Sequence, residues 1–190
     1  MLLLVGLGNP GSDYTNTRHN IGFRIIDAIN THFKLSKQKP KFKGLLTTGN
    51  IDEKKIYAIK PLTFMNNSGT AIKELIDYFK IEAKDVIVFH DDMDIDFGKI
   101  KTKFGGGSAG HNGIESIDKF IGKDYSRVRI GIGHPKQKKK VNNHVLDDFK
   151  DDEEEKIKEI TENIVKQIPT LIDKKIDLFS NKVNQNLDGI

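Results

Sequence analysis

The first seven residues most constrain the fold of this 190-residue chain. Leu2 to Leu7 is a short apolar run broken only by glycine, too short for a helix and right for a strand buried on both faces. It runs into a turn at Gly8, Asn9, Pro10 and Gly11. A polar loop with Tyr14, Arg18, His19 and Asn20 follows, and then a helical pattern that Asn20 can cap, with Phe23, Ile26, Ile29 and Phe33 on one face. A buried strand feeding a helix through a long polar loop is the start of an open α/β sheet. In such sheets the loop leaving the C-terminal end of a strand is where ligands bind. This loop carries an aromatic ring, an imidazole and two amides, more chemistry than a connector needs.

The rest of the chain keeps that alternation. Leu45–Gly49 and Ile56–Lys60 read as a hairpin, and Pro61 ends its second strand. Ile72, Leu75, Ile76 and Phe79 mark a helix that Ser68 can cap. Val86–Phe89 is a compact apolar strand bounded by His90, Asp91 and Asp92. Phe97–Phe104 reads as a more exposed strand, broken by Gly105, Gly106 and Gly107. A helix with Ile114, Ile117 and Ile121 comes next, then a half-buried strand over Arg127–Gly133. Glu153–Ile168 and Thr170–Lys182 read as two helices separated by Pro169. The pattern predicts an α/β fold: a single-domain three-layer sandwich over residues 1–190, with a twisted, mixed and largely parallel sheet flanked by helices. Residues 184–190 are expected to fray.

With no cysteine, the chain has no disulfide framework, thiolate metal site or thiolate nucleophile. The opening apolar run lacks a basic leader and breaks at Gly6, and no stretch reaches membrane-spanning length. A soluble, intracellular, cytoplasmic protein with no membrane partner is expected. The net charge of +4 says little by its sign. The lysines, however, cluster at Lys37–Lys43, at Lys99, Lys101 and Lys103, and at Lys136–Lys140, and the Lys-rich segment up to Lys43 reads as a loop. The acid is concentrated in Asp147–Glu155.

Several motifs fail on context. Gly6, Gly8 and Gly11 satisfy G-x-G-x-x-G, but Pro10 lies inside the motif and the helix starts too late to present its amides to a pyrophosphate. Gly106–Gly110 satisfies G-x-S-x-G around Ser108, with Asp118 or Asp124 and His134 or His144 able to complete the order Ser, Asp, His. Its preceding strand is lysine-rich, where a nucleophile elbow follows a buried central strand. Asp92, Asp94 and Asp96 suggest a calcium loop, but Phe97 and Lys103 occupy the places that need glycine and glutamate. The six histidines include no pair with helical ligand spacing, so no metal and no cofactor is expected.

The remaining set is polar and falls at junctions between elements: Asn9, Tyr14, His19, Asn66, Asp91, His111 and Asn112. It suits hydrolysis by an activated water. Neutral imidazole is the best base near pH 7. A carboxylate on its second ring nitrogen fixes the tautomer and stabilises the imidazolium that forms. Asparagine amides can hold the water and donate to a developing oxyanion. His19 is the candidate base, and Asp91, at the end of the apolar strand, its better partner than Asp92.

VGLGNPG with Tyr14 and RHNIGF, then PLTFMNNSG, HDDMDIDFGKIK, GGGSAGHNGI and RVRIGIGHP, occur in that order from Val5 to Pro135. Together they resemble bacterial-type peptidyl-tRNA hydrolase. The resemblance extends more loosely to Phe149, and the C-terminal helices match only by pattern. It implies a monomeric α/β esterase that needs no cofactor. Such an enzyme cleaves the ester between a peptide and the 3′ end of tRNA, freeing the tRNA for recycling. By motif position it implies His19 as base, Asp91 as its partner, and Asn9 as the group distinguishing N-blocked from free aminoacyl-tRNA. Tyr14, Phe64, Asn66 and Asn112 would contact the substrate, Asn66 and Asn112 also positioning water. Lys101 and Lys103 would face tRNA phosphates. Two alternatives are a non-catalytic RNA-binding module of the same fold and a serine esterase using Ser108.

Overall fold

The computed structural model describes residues 1–135 and 141–187. Its first strand, β1 (Leu2–Gly6), is buried along its whole length. Side chains alternate between faces, so Leu2 and Leu4 enter one core while Leu3, Val5 and Leu7 enter the other. A strand buried on both faces needs helices on both sides. α1 (Ile21–His32) supplies one side, together with α5 (Asp151–Ile172) and α6 (Ile176–Leu187). α2 (Ser68–Phe79) and α3 (Asn112–Ile121) supply the other.

The remaining strands are β2 (Lys39–Lys41), β3 (Gly44–Ile51), β4 (Lys54–Pro61), β5 (Val86–Asp92), β6 (Ile100–Phe104) and β7 (Ser126–Gly131). They form one seven-stranded sheet in the order β2-β3-β4-β1-β5-β7-β6. The centre, β4-β1-β5-β7, is parallel, whereas β2-β3, β3-β4 and β6-β7 pair antiparallel. The expected sandwich is present, with its parallel part confined to the middle. Parallel centre strands bring the loops after β1, β4 and β5 to one edge. That edge is pinned where Leu7 N donates to Phe89 O at 3.1 Å.

The glycines at the N-terminus have a packing reason rather than a nucleotide. A Cβ on Gly6 would overlap the Gly22 backbone, and one on Gly22 would overlap Leu7 and Phe89. Here α1 lies backbone against backbone on β1. A Cβ on Gly8 would fall 2.8 Å from the Phe23 ring.

Four expectations are corrected. The Lys-rich segment is not all loop: Lys39–Lys41 forms the edge strand β2. Lysine and proline suit an edge, where charge and a missing amide hydrogen deter further pairing. Pro169 does not separate two helices. It sits in the last turn of the 22-residue α5, where it costs only one backbone bond, and the break comes at Asp173–Lys175. The asparagine before α1 does not cap it, because the Asn20 side chain is engaged by Asn9. Residues 184–187 continue α6, and Asn184 accepts from Ile100 N at 3.0 Å and donates to Ile100 O at 2.9 Å. Those bonds to an edge strand hold the segment that was expected to fray. Residues 188–190 and the lysine group Lys136–Lys140 lie outside the described residues. Among the described residues no helix is long and apolar enough to cross a membrane.

Candidate active site

Asp91, the last residue but one of β5 and 1% exposed, lies beneath a turn (Arg18–Asn20) that places His19 over it. Asp91 Oδ1 lies 2.8 Å from His19 Nδ1 and 2.9 Å from His111 Nε2. One carboxylate oxygen therefore serves two imidazoles. The tautomers follow from the other contacts. His111 caps α3 through Nδ1, which accepts from Gly113 N at 3.1 Å and Ile114 N at 3.3 Å. Its proton is then on Nε2, donated to Asp91. The ionised carboxylate can only accept, so His19 donates from Nδ1 and keeps the lone pair on Nε2.

The electrostatics agree. Burial pulls the His19 pKa down, but the charge of Asp91 and its hydrogen bond outweigh this and raise it above 6.5. Burial pushes Asp91 up, yet the two imidazoles and their hydrogen bonds hold it far below the usual carboxylate range. Behind them His90 packs edge-on against the His111 ring at 4.8 Å, and its Nδ1 donates to Asp91 O at 2.7 Å. Burial above all holds His90 neutral by lowering its pKa well below 6.5, and the nearby Arg127 guanidinium acts in the same direction.

His19, Asp91, Met93, Ser108–Asn112 and Val145 line a half-open cleft of about 250 Å³. Its glycine-rich wall is fixed at both ends. At one end Arg127, 3% exposed, donates to Gly107 O at 2.9 Å and also to Gly105 O. At the other, His111 N bonds Ser108 O at 3.0 Å. Across the cleft, Arg18 donates to Asp148 O at 2.6 Å and Asp147 O at 3.2 Å and pairs with Glu153 at 2.6 Å. It ties the turn carrying His19 to the segment after α4 (Val141–Leu146).

The other predicted residues gather on the loops after β1 and β4. Asn9 Oδ1 accepts from Met65 N at 2.8 Å, and its backbone is held at N and O by the Asn20 side chain, each at 2.9 Å. Its Nδ2 has no partner among the described residues. Tyr14 meets Phe64 edge-on with centroids 6.4 Å apart, and Phe64 is 56% exposed. Asn66 is exposed on the turn Met65–Asn67, directly after the amide held by Asn9, and does not line the cleft. Asn112 is exposed and does line it.

Two features escaped the sequence. His111 stood in the polar set without a role; a histidine directly before Asn-Gly at a helix start could have marked it as a cap. The Arg18 tether was foreshadowed only by the acidic run Asp147–Glu155. The serine alternative fails geometrically. Asp118 accepts from Tyr125, His134 pairs with Asp94 and His144 bonds Ile132 O, so none of these histidines meets Ser108. Asp92 and Asp94 are engaged by Arg129 and His134 rather than poised around calcium. Among the described residues, only His19, Asp91 and His111 form a group of three whose ligating atoms lie within 4.8 Å. Those atoms already share two protons.

A family profile described as Peptidyl-tRNA hydrolase matches residues 3–188. The chain belongs to the peptidyl-tRNA hydrolase family. A peptidyl-tRNA hydrolase of Pelagibacter ubique is 71% identical over 184 residues, covering 97% of this chain and 99% of that one. One of Ehrlichia ruminantium is 48% identical over 181 residues, covering 95% and 93%. The crystal structure of peptidyl-tRNA hydrolase from Acinetobacter baumannii superposes with a TM-score of 0.90 at 34% identity, covering 97% and 94%. Family membership thus spans the whole described sandwich, including the C-terminal helices that the motif series left out.

Proposed function

We propose that this member of the peptidyl-tRNA hydrolase family cleaves the ester joining a peptide, or an N-blocked aminoacyl group, to the 3′ end of tRNA. It acts as a cytoplasmic monomer and needs no cofactor. The observation that carries the mechanism is the Asp91 oxygen shared by two imidazoles, which leaves His19 Nε2 as an oriented base at the cleft.

His19 Nε2 takes a proton from water, and the hydroxide adds to the ester carbonyl carbon. The negative charge on Asp91 stabilises the imidazolium. Amide hydrogens of Asn112, which lines the cleft, hold the water and meet the developing oxyanion, and Asn66, on the neighbouring turn, contacts the substrate. The tetrahedral intermediate collapses with cleavage of the acyl–oxygen bond, and the imidazolium returns its proton to the ribose oxygen. The products are a peptide carboxylic acid, which loses its proton to solvent, and a tRNA with a free hydroxyl. A positioned base is worth roughly 10²–10⁴-fold, and one oxyanion donor about 3 kcal/mol. The unpartnered Asn9 Nδ2 suits the carbonyl oxygen of a blocked α-amine, a group that free aminoacyl-tRNA lacks. Tyr14 and Phe64 offer faces to the tRNA end and peptide. Lys101 and Lys103, exposed on β6, give position and affinity through phosphates without reading sequence, as an enzyme for many tRNAs requires.

The test is cleavage of N-acetyl-aminoacyl-tRNA beside free aminoacyl-tRNA. The blocked ester should be cleaved and the free one spared. His19→Ala should nearly abolish turnover while keeping the fold and RNA binding. Near-normal turnover in that variant removes His19 as base; RNA binding without any cleavage by the unaltered protein leaves a binding module.

A further inference from the structure

Asp91 holds one carboxylate oxygen between two rings, yet the sheet leaves its main chain short of a bond. Carbonyls along a parallel strand turn to alternate neighbours. On β5, Phe89 O accepts from Leu7 N on the β1 side at 3.1 Å, and Asp92 O accepts from Ile132 N on the β7 side at 3.0 Å. Asp91 O therefore faces the β1 side. A longer β1 in the same register would offer it Asn9 N. That amide is bound instead to Asn20 Oδ1 at 2.9 Å. A buried carbonyl without a partner costs about 1–3 kcal/mol. The side chain of His90 supplies the missing donor, with Nδ1 2.7 Å from Asp91 O.

The ring can do this in one state only. His90 is 2% exposed, and its Nε2 is buried with no partner among the described residues. A proton on Nε2 would be buried without an acceptor, so the proton lies on Nδ1, where the carbonyl takes it. Three charged or titratable groups surround the ring. Arg127 of β7 is turned to the carbonyls of Gly105 and Gly107. The Asp91 carboxylate is spent on His19 and His111. His111, at the start of α3, packs against the His90 ring and also meets the His19 ring, with centroids 4.9 Å apart. Once the Asp91 main chain is pinned, only two side-chain rotations remain, and the bonds to the two imidazoles fix both.

We propose that His90 is a positioning residue for ester cleavage: it holds the main chain of Asp91 so that one carboxylate oxygen reaches both imidazoles at once. The inference rests on the ester-hydrolase reading. His90 does not line the cleft and acts only through Asp91. Its donor matters, not its basicity.

Two variants separate the donor from the ring. His90→Asn keeps an N–H where Nδ1 stands and gives up the rest of the ring, whereas His90→Phe keeps a ring and gives up the donor. kcat and KM are measured on N-acetyl-aminoacyl-tRNA across pH 5–9, well below each melting temperature. His90→Phe should lose about tenfold or more in kcat, the order expected when a reacting group is slightly misplaced. Its KM should stay within about twofold, since no substrate contact is removed. Its acid limb should move to lower pH, because a carboxylate drawn away from His19 raises that ring's pKa less. His90→Asn should keep kcat within about threefold and its acid limb in place. A role in stability alone would lower the melting temperatures and leave kcat and the acid limb where they were. A kcat of His90→Phe within about twofold of the unaltered protein, equal losses in both variants, or an unmoved acid limb overturns the proposal. If His90→Phe does not fold, ¹⁵N NMR of the unaltered protein's histidines decides. His90 must stay neutral with its proton on Nδ1 across this pH range, and a ring that titrates or carries its proton on Nε2 overturns the role. No cleavage by the unaltered protein overturns the hydrolase reading and this role with it.

Discussion

Replacing Asp91 by asparagine is the most discriminating perturbation, because it changes charge and donor pattern while keeping shape. Asp91 accepts from two N–H groups, at 2.8 and 2.9 Å, in a site with almost no solvent. An asparagine can present its oxygen to one ring, but its NH₂ must then face the other. His111 is committed to donating, because its Nδ1 accepts the α3 amides. The oxygen therefore goes to His111 and the NH₂ to His19. His19 must accept at Nδ1, which moves its proton to Nε2, the atom that should act as base. A wrong tautomer of this kind costs roughly 10²–10⁴-fold, about 3–5 kcal/mol of barrier. The acid limb of the pH profile falls along with the rate. With Asp91 ionised, the His19 pKa lies above 6.5, so the acid limb of kcat/KM should have its midpoint above pH 6.5. Without that charge the burial of His19 remains and pulls its pKa down. Asp91→Asn should therefore show a much lower plateau whose acid limb lies at lower pH. The assay is cleavage of N-acetyl-aminoacyl-tRNA across pH 5–9. A plateau within a few fold of the unaltered protein, or an acid limb that stays in place, refutes the reasoning.

Three further outcomes are expected. His111→Asn keeps a good helix cap but loses the second bond to Asp91, so it should retain its melting temperature within a few degrees while kcat falls roughly tenfold or more. Arg127→Met removes two charge-assisted bonds of about 1.5–3 kcal/mol each from the glycine loop; it should raise KM, lower kcat and speed amide exchange at Gly105–Gly110, and unchanged exchange would deny Arg127 its tether. Lys103→Ala should weaken binding to all tRNAs alike and lower the slope of log affinity against log salt by about one, whereas an unaltered slope removes that phosphate contact.

The fold was legible where periodicity is strong. β1 and β5 are nearly continuous apolar runs, and a strand buried on both faces has no other pattern. β2 was hidden because its sequence, Lys-Pro-Lys, is chosen against further pairing and so resembles a loop. Pro169 misled because proline's cost depends on which turn of a helix it occupies. In the site, His19 and Asp91 could be paired from chemistry and motif order, since a base needs a carboxylate and an apolar strand offered one at its end. The Arg18 and His111 contacts could not. Arg18 reaches partners 129 to 135 residues away, most of them backbone carbonyls that leave no mark in side-chain type. His111 links to Asp91 only after β6, the glycine loop and α3 have folded back over β5.

The two margins of the sheet carry a consequence for life in a crowded cell. One outer strand offers lysines and an imide nitrogen with no hydrogen to give. At the opposite rim the amide of Asn184 stands in for a neighbouring backbone, giving and taking one bond each with Ile100. A second molecule arriving edge-on finds repulsion at one side and an occupied seat at the other. Strand addition is disfavoured where these groups lie, and deleting the last helix would leave Ile100 N and O free to pair.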